Sequence, residues 1–475
     1  MRKVGTYKEM FEPVRPRESA VLLLAHGSHL SAGTAEPVRE MAGALRRRRA
    51  VGEVRVAFWK EDPHLHHALQ TVEARFVFAV PIFTSTGYFT DTVVPRELGI
   101  SGGASPVEGM QVRLLDPIGT HPRMADLVLD RAHDARPHPG GNREEEPLHL
   151  VVVGHGTPRH PNSGRVTRKI AEELRGRWPW GTTRSAFLDQ EPRVLDVLRE
   201  LRPDRAVLVP FFISKGWHAG VTLPQDLGGE NPASISKGGA LTYAAPVGTH
   251  PDMVDVVEEM VLHEMGRSPF PKATTPFPPT PAQAARKAFL AWVDRAGAEG
   301  RTFLQMRLRR TEMGTYEVRH ASDADVPAER LKVRTDPEAA WKITAVTEEG
   351  RPRPLKTAPN LRRGWIFRDL SADDLWEACS HLAPAAAVHW HLARTGRLPT
   401  VSFRDAARRQ TGMFQGLSDL PDEEVSELVN VQCRSDKCLR KVAWWRTAAE
   451  AGDEDPVIPC PEPCSILFTK LLERR

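Results

Sequence analysis

Two short turns carry the residues best suited to chemistry, Ala25-His26-Gly27-Ser28 and Gly154-His155-Gly156-Thr157, and their histidines stand 129 positions apart (155 − 26 = 129). The same offset lays Ala57-Phe58 on Ala186-Phe187, Pro63 on Pro192, Val80-Pro81-Ile82-Phe83 on Val209-Pro210-Phe211-Phe212, and Gly119-Thr120-His121-Pro122 on Gly248-Thr249-His250-Pro251. One register held without a gap over roughly a hundred positions marks a duplicated domain. The mismatches then locate the chemistry. Position 89 is Phe where 218 is His, and position 60 is Lys where 189 is Asp. The second copy keeps His155, Asp189 and His218, residue types that bind divalent ions or accept protons. Phe89 cannot ligate, and Lys60 repels a cation.

A second constellation lies near the carboxyl end. No cysteine precedes Cys379; Cys433, Cys438, Cys460 and Cys464 follow it, as a Cys-x4-Cys and a Cys-x3-Cys pair. Disulfides are disfavoured in a reducing compartment, so the cluster reads as a metal or iron–sulfur site. Zinc ribbons prefer a tighter Cys-x2-Cys knuckle, whereas four thiolates on wider loops suit a [4Fe-4S] cluster. Trp444, Trp445 and Ile466-Leu467-Phe468 supply apolar cover. Structural zinc is the alternative. Cys379, within Trp376-Glu377-Ala378-Cys379 on an expected helix, reads as a buried small apolar residue or as a substitute for one of the four.

The elements that must position these residues repeat as well. Val21-Leu22-Leu23-Leu24 and Leu150-Val151-Val152-Val153 are continuous apolar runs that end at His-Gly, as buried parallel strands do. Helices are expected at 35–49 and 163–177, second strands at Arg55–Phe58 and Arg184–Phe187, and helices after Pro63 and Pro192, where proline suits a first turn. Third strands are expected at Phe76–Pro81 and Ala206–Pro210, and a fourth before each Gly-Thr-His-Pro. The alternation predicts two tandem, doubly wound α/β domains with parallel sheets. Ligands of such sheets bind at the carboxyl ends of strands, where His155, Asp189 and His218 all fall. His121 and His250 recur in both copies at helix starts and read as structural caps.

A proline-dense stretch, residues 268–281, follows the duplicated region, which gives expected domains at 18–136 and 147–267. Beyond it an α+β region is expected over 282–368, with a helix near 282–296, strands at Thr302–Leu308 and Tyr316–His320, and a helix or strand near Pro337–Val346. A mainly helical, cysteine-bearing region follows over 369–475, with helices at Asp374–His381 and Ala386–Thr395.

The 475 residues carry a net charge of +4, too mild to argue for nucleic acid, and no apolar run long enough to span a bilayer. Arg46-Arg47-Arg48-Arg49 reads as a solvated helix end, where cations complement the helix dipole. The start of the chain has no secretion-signal pattern, which makes the cytoplasm the expected location.

The His-Gly-Ser and His-Gly-Thr turns, the Val-Pro-x-Phe strands and the Gly-Thr-His-Pro segments resemble the CbiX and SirB family of sirohydrochlorin chelatases over about residues 20–265. The resemblance implies a class II chelatase fold and the insertion of Co²⁺ or Fe²⁺ into a reduced tetrapyrrole; imidazole and carboxylate ligands tolerate Ni²⁺ as well. By position it assigns metal handling to His155 and His218 with a carboxylate from Asp189 or Glu191. In the first repeat only His26 survives, and that repeat is expected to be degenerate, with His26 and His29 either lining the cleft or serving as ordinary loop or core residues. Metallation expels two pyrrole protons, so a histidine of near-neutral pKa serves as ligand or proton acceptor. An open set of two or three ligands releases the ion more readily than a closed tetrahedral one. Lys215 and Arg159 stand where they can meet substrate carboxylates or simply face solvent. Some long members of the family carry an iron–sulfur centre after the chelatase region, which fits the cysteines. A tetrapyrrole or metal carrier, or an iron–sulfur redox enzyme acting on a tetrapyrrole, is the competing reading. Because one chain holds two repeats, a monomer or a loose homodimer is expected.

Overall fold

The computed structural model describes residues 14–28, 31–100, 104–107, 109–136, 147–157, 162–201, 205–216, 218–236, 241–267, 270, 277–355, 360–399, 402–410, 412–433 and 465–474. The chain divides into two units. The first runs to Pro278, and the second begins at Pro279 and also takes in Glu61–Pro63 and Gln70–Glu73.

In the first unit, β1 (Ser19–Ala25) pairs in parallel with β2 (Glu53–Phe58) and β3 (Phe76–Pro81), and β3 with β5 (Met110–Leu114). A further edge strand, β4 (Ala104–Val107), runs antiparallel to β5, giving the order β2-β1-β3-β5-β4. The second sheet is parallel throughout, in the order β7-β6-β8-β9, with β6 at Leu148–Gly154, β7 at Thr183–Phe187, β8 at Arg205–Pro210 and β9 at Leu241–Tyr243. The duplication extends to register. Ala25 pairs with Phe58 and Gly154 with Phe187, each shifted by 129. Every residue of β1 and β6 is buried, because both sheet faces are covered. On β6 the faces alternate: Leu150 and Val152 join one core that also holds Val21, Leu23 and Ala25, while Val151 and Val153 join Val194, Val197 and Leu208 on the other side.

The repeats pack about an internal pseudo-two-fold axis. Arg48, at the end of helix Glu36–Arg48, pairs with Asp255 and, at 2.8 Å, with Glu258 on helix Met253–Gly266. Arg177 pairs with Asp126 on helix Met124–Ala135 at 2.6 Å. Since 48 + 129 = 177 and 126 + 129 = 255, the two pairs are one contact seen twice, the signature of an isologous interface.

Gly119 and Gly248 recur for a steric reason: a Cβ at Gly119 would lie 2.2 Å from the Thr84 carbonyl oxygen, and one at Gly248 2.3 Å from Ile213 Cα. Only glycine fits there.

Some expectations are corrected. The segment after Pro63 is not a helix but two 3-10 turns, Leu65–His67 and Leu69–Thr71, whereas Pro192 precedes a true helix, Val194–Glu200. Tertiary bonding competes with helix extension there: the Ala74 N–H donates to Glu53 Oε2 at 2.8 Å. The single strand expected at Thr302–Leu308 is a hairpin of β10 (Arg301–Phe303) and β11 (Met306–Arg310), turning at Leu304 with φ of 53°. Leucine carries no turn signal, which is why the break was invisible in the sequence.

In the second unit β10 and β11 belong to a mixed sheet, order β10-β11-β12-β14-β13, with β12 at Tyr316–His320, β13 at Lys332–Arg334 and β14 at Trp365–Leu370. The segment Pro337–Thr344 is a 3-10 turn leading into a short helix. Helix Pro281–Asp294 opens with a capping box between Thr280 and Gln283 and buries Phe289 against Phe303 and Trp376. Helices Ala372–Leu382, Ala386–Arg394, Phe403–Arg409, Asp422–Gln432 and Ser465–Leu472 complete its core. No helix among the described residues is long and apolar enough to cross a membrane.

Candidate functional site

His155 follows the last residue of β6 and stands at the carboxyl edge of the second sheet, exposed to solvent. Gly156, at φ of 67°, turns the chain so that the His155 ring folds back on the backbone. Its Nδ1 lies 2.8 Å from the Gly156 carbonyl oxygen. A carbonyl only accepts, so Nδ1 carries the proton and Nε2 is the nitrogen whose chemistry suits a metal ion or a proton. Asp189 Oδ2 lies 3.4 Å from the same Nδ1, with the two side chains 45% and 55% exposed. The Asp189 N–H donates to the His155 carbonyl at 3.0 Å, which ties the two loops together. Nδ1 bonding of this kind fixes the tautomer and the ring orientation, as it does in metal-binding histidines.

Glu191 is drawn elsewhere. Its carboxylate accepts from the Arg193 N–H at 3.2 Å and lies 3.7 Å from Arg193 Nε, with the side chain 77% exposed. Of the two acidic candidates, the one brought to His155 is Asp189. His218 opens a π-helical turn, His218–Thr222, just past β8. Turns of this kind are concentrated at functional sites. The His218 side chain, Trp217, Arg159 and His29 lie outside the described residues. Lys215 is exposed on the loop before that turn.

Two residues that sequence reasoning missed shape the site. Gln190 Oε1 accepts from the Thr157 N–H at 3.1 Å and from Ser163 Oγ at 3.0 Å, clamping the loop after His155. Tyr243, on β9, donates its hydroxyl to the Ala219 carbonyl at 2.8 Å and so pins the π turn one residue beyond His218. Burial raises the Tyr243 hydroxyl above the ordinary tyrosine range, keeping it a donor. Neither residue type signals a metal site, and the Tyr243 equivalent in the first repeat is Leu114 (243 − 129 = 114).

The first repeat has the same scaffold with different chemistry. His26 Nδ1 lies 2.9 Å from the Gly27 carbonyl, and the Lys60 N–H donates to the His26 carbonyl at 2.8 Å. The His26 ring meets the edge of Phe89 at 5.0 Å. His121 and His250 each accept with Nδ1 from the N–H two residues on, at 3.4 and 3.2 Å. Burial lowers the His121 pKa, against a raising effect from Glu259. Among the described residues no group of three or more His, Cys, Asp or Glu gathers tightly enough to hold a metal ion.

Of the cysteines, Cys438, Cys460 and Cys464 lie outside the described residues. Cys433 follows helix Asp422–Gln432, donating its N–H to Val429 at 2.8 Å, and is buried in a core that includes Leu467, Phe468 and Leu471. An apolar wall around thiolate ligands suits an iron–sulfur cluster. Cys379 sits fully inside helix Ala372–Leu382, where burial pushes its thiol up to about 12. It is a neutral core residue.

Comparison with known proteins agrees with the duplicated domain order. The CbiX family model matches residues 20–135 and 149–264, again offset by 129. A DR2241 stabilising domain matches 285–394 and a 4Fe-4S iron-sulfur cluster binding domain 395–472, a range that contains Cys433 but not Cys379. A probable sirohydrochlorin cobaltochelatase of Halobacterium salinarum is 35% identical over 268 residues, half of this chain and 89% of that protein. A sirohydrochlorin cobaltochelatase of Methanopyrus kandleri is 27% identical over 139 residues, 25% of this chain and 96% of that protein. The crystal structure of DR2241 from Deinococcus radiodurans, described as a multi-domain protein with structural similarity to chelatases and two additional novel domains, superposes with a TM-score of 0.75 and 28% identity, covering 96% of this chain and 98% of that one. The chain belongs to the CbiX family, in a form that joins two tandem CbiX domains to a carboxyl-terminal iron–sulfur domain.

Proposed function

We propose that this protein inserts a divalent metal ion, Co²⁺ foremost, into sirohydrochlorin, as a cobaltochelatase-type lyase serving the biosynthesis of cobalt-bearing tetrapyrroles. The observation that carries this reading is the His155 ring held by Gly156 with Asp189 beside it, at a strand end whose first-repeat counterpart has lost the carboxylate. The relatives named as sirohydrochlorin cobaltochelatases support the substrate.

In this mechanism His155 Nε2 and His218 receive the aquated ion, and Asp189 offsets its charge as water is shed. The macrocycle's two pyrrole N–H bonds break as two metal–nitrogen bonds form, and both protons leave. Once its lone pair is released by the metal, His155 accepts the first proton, and the neighbouring Asp189 carboxylate stabilises the imidazolium. The second passes to solvent at this exposed edge. Imidazole and carboxylate ligands also tolerate Fe²⁺ and Ni²⁺, so metal supply selects among them.

The carboxyl-terminal domain would hold a [4Fe-4S] cluster on Cys433, Cys438, Cys460 and Cys464. Such a cluster supplies one-electron redox capacity or a covalent staple. Insertion consumes no electrons, so the cluster stands outside the metal-transfer step. Because the two repeats already pair through an internal isologous interface, one chain needs no second subunit to complete it, and a monomer or loose homodimer is proposed. The test is anaerobic: protein, sirohydrochlorin and Co²⁺ are mixed and the macrocycle spectrum followed. Turnover well beyond one equivalent supports the enzyme. Binding that stops at one equivalent identifies a carrier, and a change that requires an electron donor identifies a redox enzyme.

A further inference from the structure

The offset of 129 also shows what took the place of the lost ligands. Phe89 stands where the second repeat has His218, and its neighbours are rings. Phe89 lies nearly parallel to Phe83, with centroids 6.0 Å apart and planes 13° apart. It meets His26, Trp59 and Tyr88 edge-on at 5.0, 6.3 and 5.9 Å. Phe83 and Phe89 are half-buried and Tyr88 is 50% exposed, so the cluster reaches the surface instead of filling a core. The Lys60 ammonium, at the position of Asp189, lies 5.1 Å from the Trp59 ring centroid. Where the second repeat has His218 and Asp189, the first thus presents an aromatic face with a cation at its rim. Edge-to-face and offset contacts lock such rings into a stiff surface that needs little ordering on binding.

The loops of the two repeats adjoin at this edge. A Cβ on Gly216, two residues before His218, would lie 3.1 Å from Thr34 Oγ1, on the loop that follows His26. A flat ligand reaching the second repeat's metal ligands therefore extends toward the first repeat's rings. We propose that the first repeat is a macrocycle-holding surface: Phe83, Tyr88 and Phe89 pack on the face of a planar tetrapyrrole, and Lys60 pairs with one of its peripheral carboxylates. The proposal rests on the tetrapyrrole reading above. It assigns the first repeat to substrate affinity and the second to metal chemistry.

Equilibrium binding of metal-free sirohydrochlorin, followed by its absorbance with no metal added, tests this. Lys60→Glu should weaken binding about fivefold, roughly the effect of one surface ion pair lost and one repulsion gained, and Lys60→Arg should restore it. Phe89→Leu, which keeps apolar bulk but removes the ring, should weaken it by a similar factor, about that of one aromatic contact. A melting temperature for Lys60→Glu close to wild type shows that the fold is intact. If Lys60→Glu and Phe89→Leu both bind within twofold of wild type, the holding surface is wrong. Wild-type protein that binds the macrocycle in a Lys60-dependent way but never inserts metal overturns the enzymatic reading and leaves this one standing. Turnover by wild type with unaltered binding by the variants overturns this one alone.

Discussion

Replacing Tyr243 by Phe removes one oxygen and leaves the ring in place, which isolates a single contact behind the proposed metal site. The hydroxyl donates to the Ala219 carbonyl at 2.8 Å, and both residues are buried. Losing a typical intramolecular hydrogen bond costs about 0.5–1.5 kcal/mol, and a buried carbonyl left without that donor raises the cost to about 1–3 kcal/mol. For a unit of this size each kcal/mol lowers the melting temperature by about 2–4 °C. The Tyr243→Phe protein should therefore melt about 2–12 °C lower for the first unit, combining these two ranges. Because Ala219 follows His218 in the π turn, the proposed ligand loses its fixed backbone, and insertion should slow about tenfold at limiting Co²⁺, the effect of about 1.4 kcal/mol. Calorimetry gives the first quantity and anaerobic single-turnover insertion the second. The wild type should also lose stability above about pH 10, since the folded state keeps its Tyr243 proton where the unfolded chain releases it; the variant should lose less. A stability drop with unaltered insertion would refute the link between this hydrogen bond and the metal site.

The isologous contact predicts symmetry: Arg48→Ala and Arg177→Ala should each cost less than about 1 kcal/mol in denaturant titration, because both pairs are partly exposed. A loss several times larger at one of them would contradict the pseudo-two-fold interface. Anaerobically prepared protein should be brown and hold about four irons per chain; Cys433→Ser should lose them in an iron assay and Cys379→Ser should keep them. His320 is buried at the end of β12, where its Nδ1 accepts from the Ser322 N–H at 3.0 Å, and burial lowers its pKa, outweighing a raising effect from Asp323. Its unfolded form takes up a proton near 6.5 while the folded form resists, so the second unit should lose stability as pH falls below that value, and His320→Asn should lessen the slope in melting curves.

The α/β architecture of the first unit was legible because both β1 and β6 are continuous apolar runs ending at His-Gly, and because the duplication repeats the pattern. The differences between the copies were legible too: Lys60 and Phe89 stand where the second repeat has Asp189 and His218. What stayed hidden depends on tertiary partners. Gln190 clamps the His155 loop through atoms that only the folded chain brings within reach, and Tyr243 reaches the π turn from a strand 24 residues away. The choice between Asp189 and Glu191 was open in the sequence because both follow the same strand; the turn into Arg193 separates them. The hairpin at Leu304 escaped for lack of glycine or asparagine, and the strand β4 because its pairing partner β5, not its own composition, makes it a strand.

If metal chemistry belongs to the second repeat, although both repeats keep the same histidine turn, the two histidines must differ in what their loss does to insertion. The most direct measurement compares the rate of Co²⁺ insertion into sirohydrochlorin by His155→Ala and His26→Ala, each checked for an unchanged melting temperature. The account predicts that His155→Ala loses insertion by a factor of about a hundred or more, in the range for removing a general acid–base group, while His26→Ala keeps most of it. Equal losses in the two proteins, or a greater loss in His26→Ala, would contradict it.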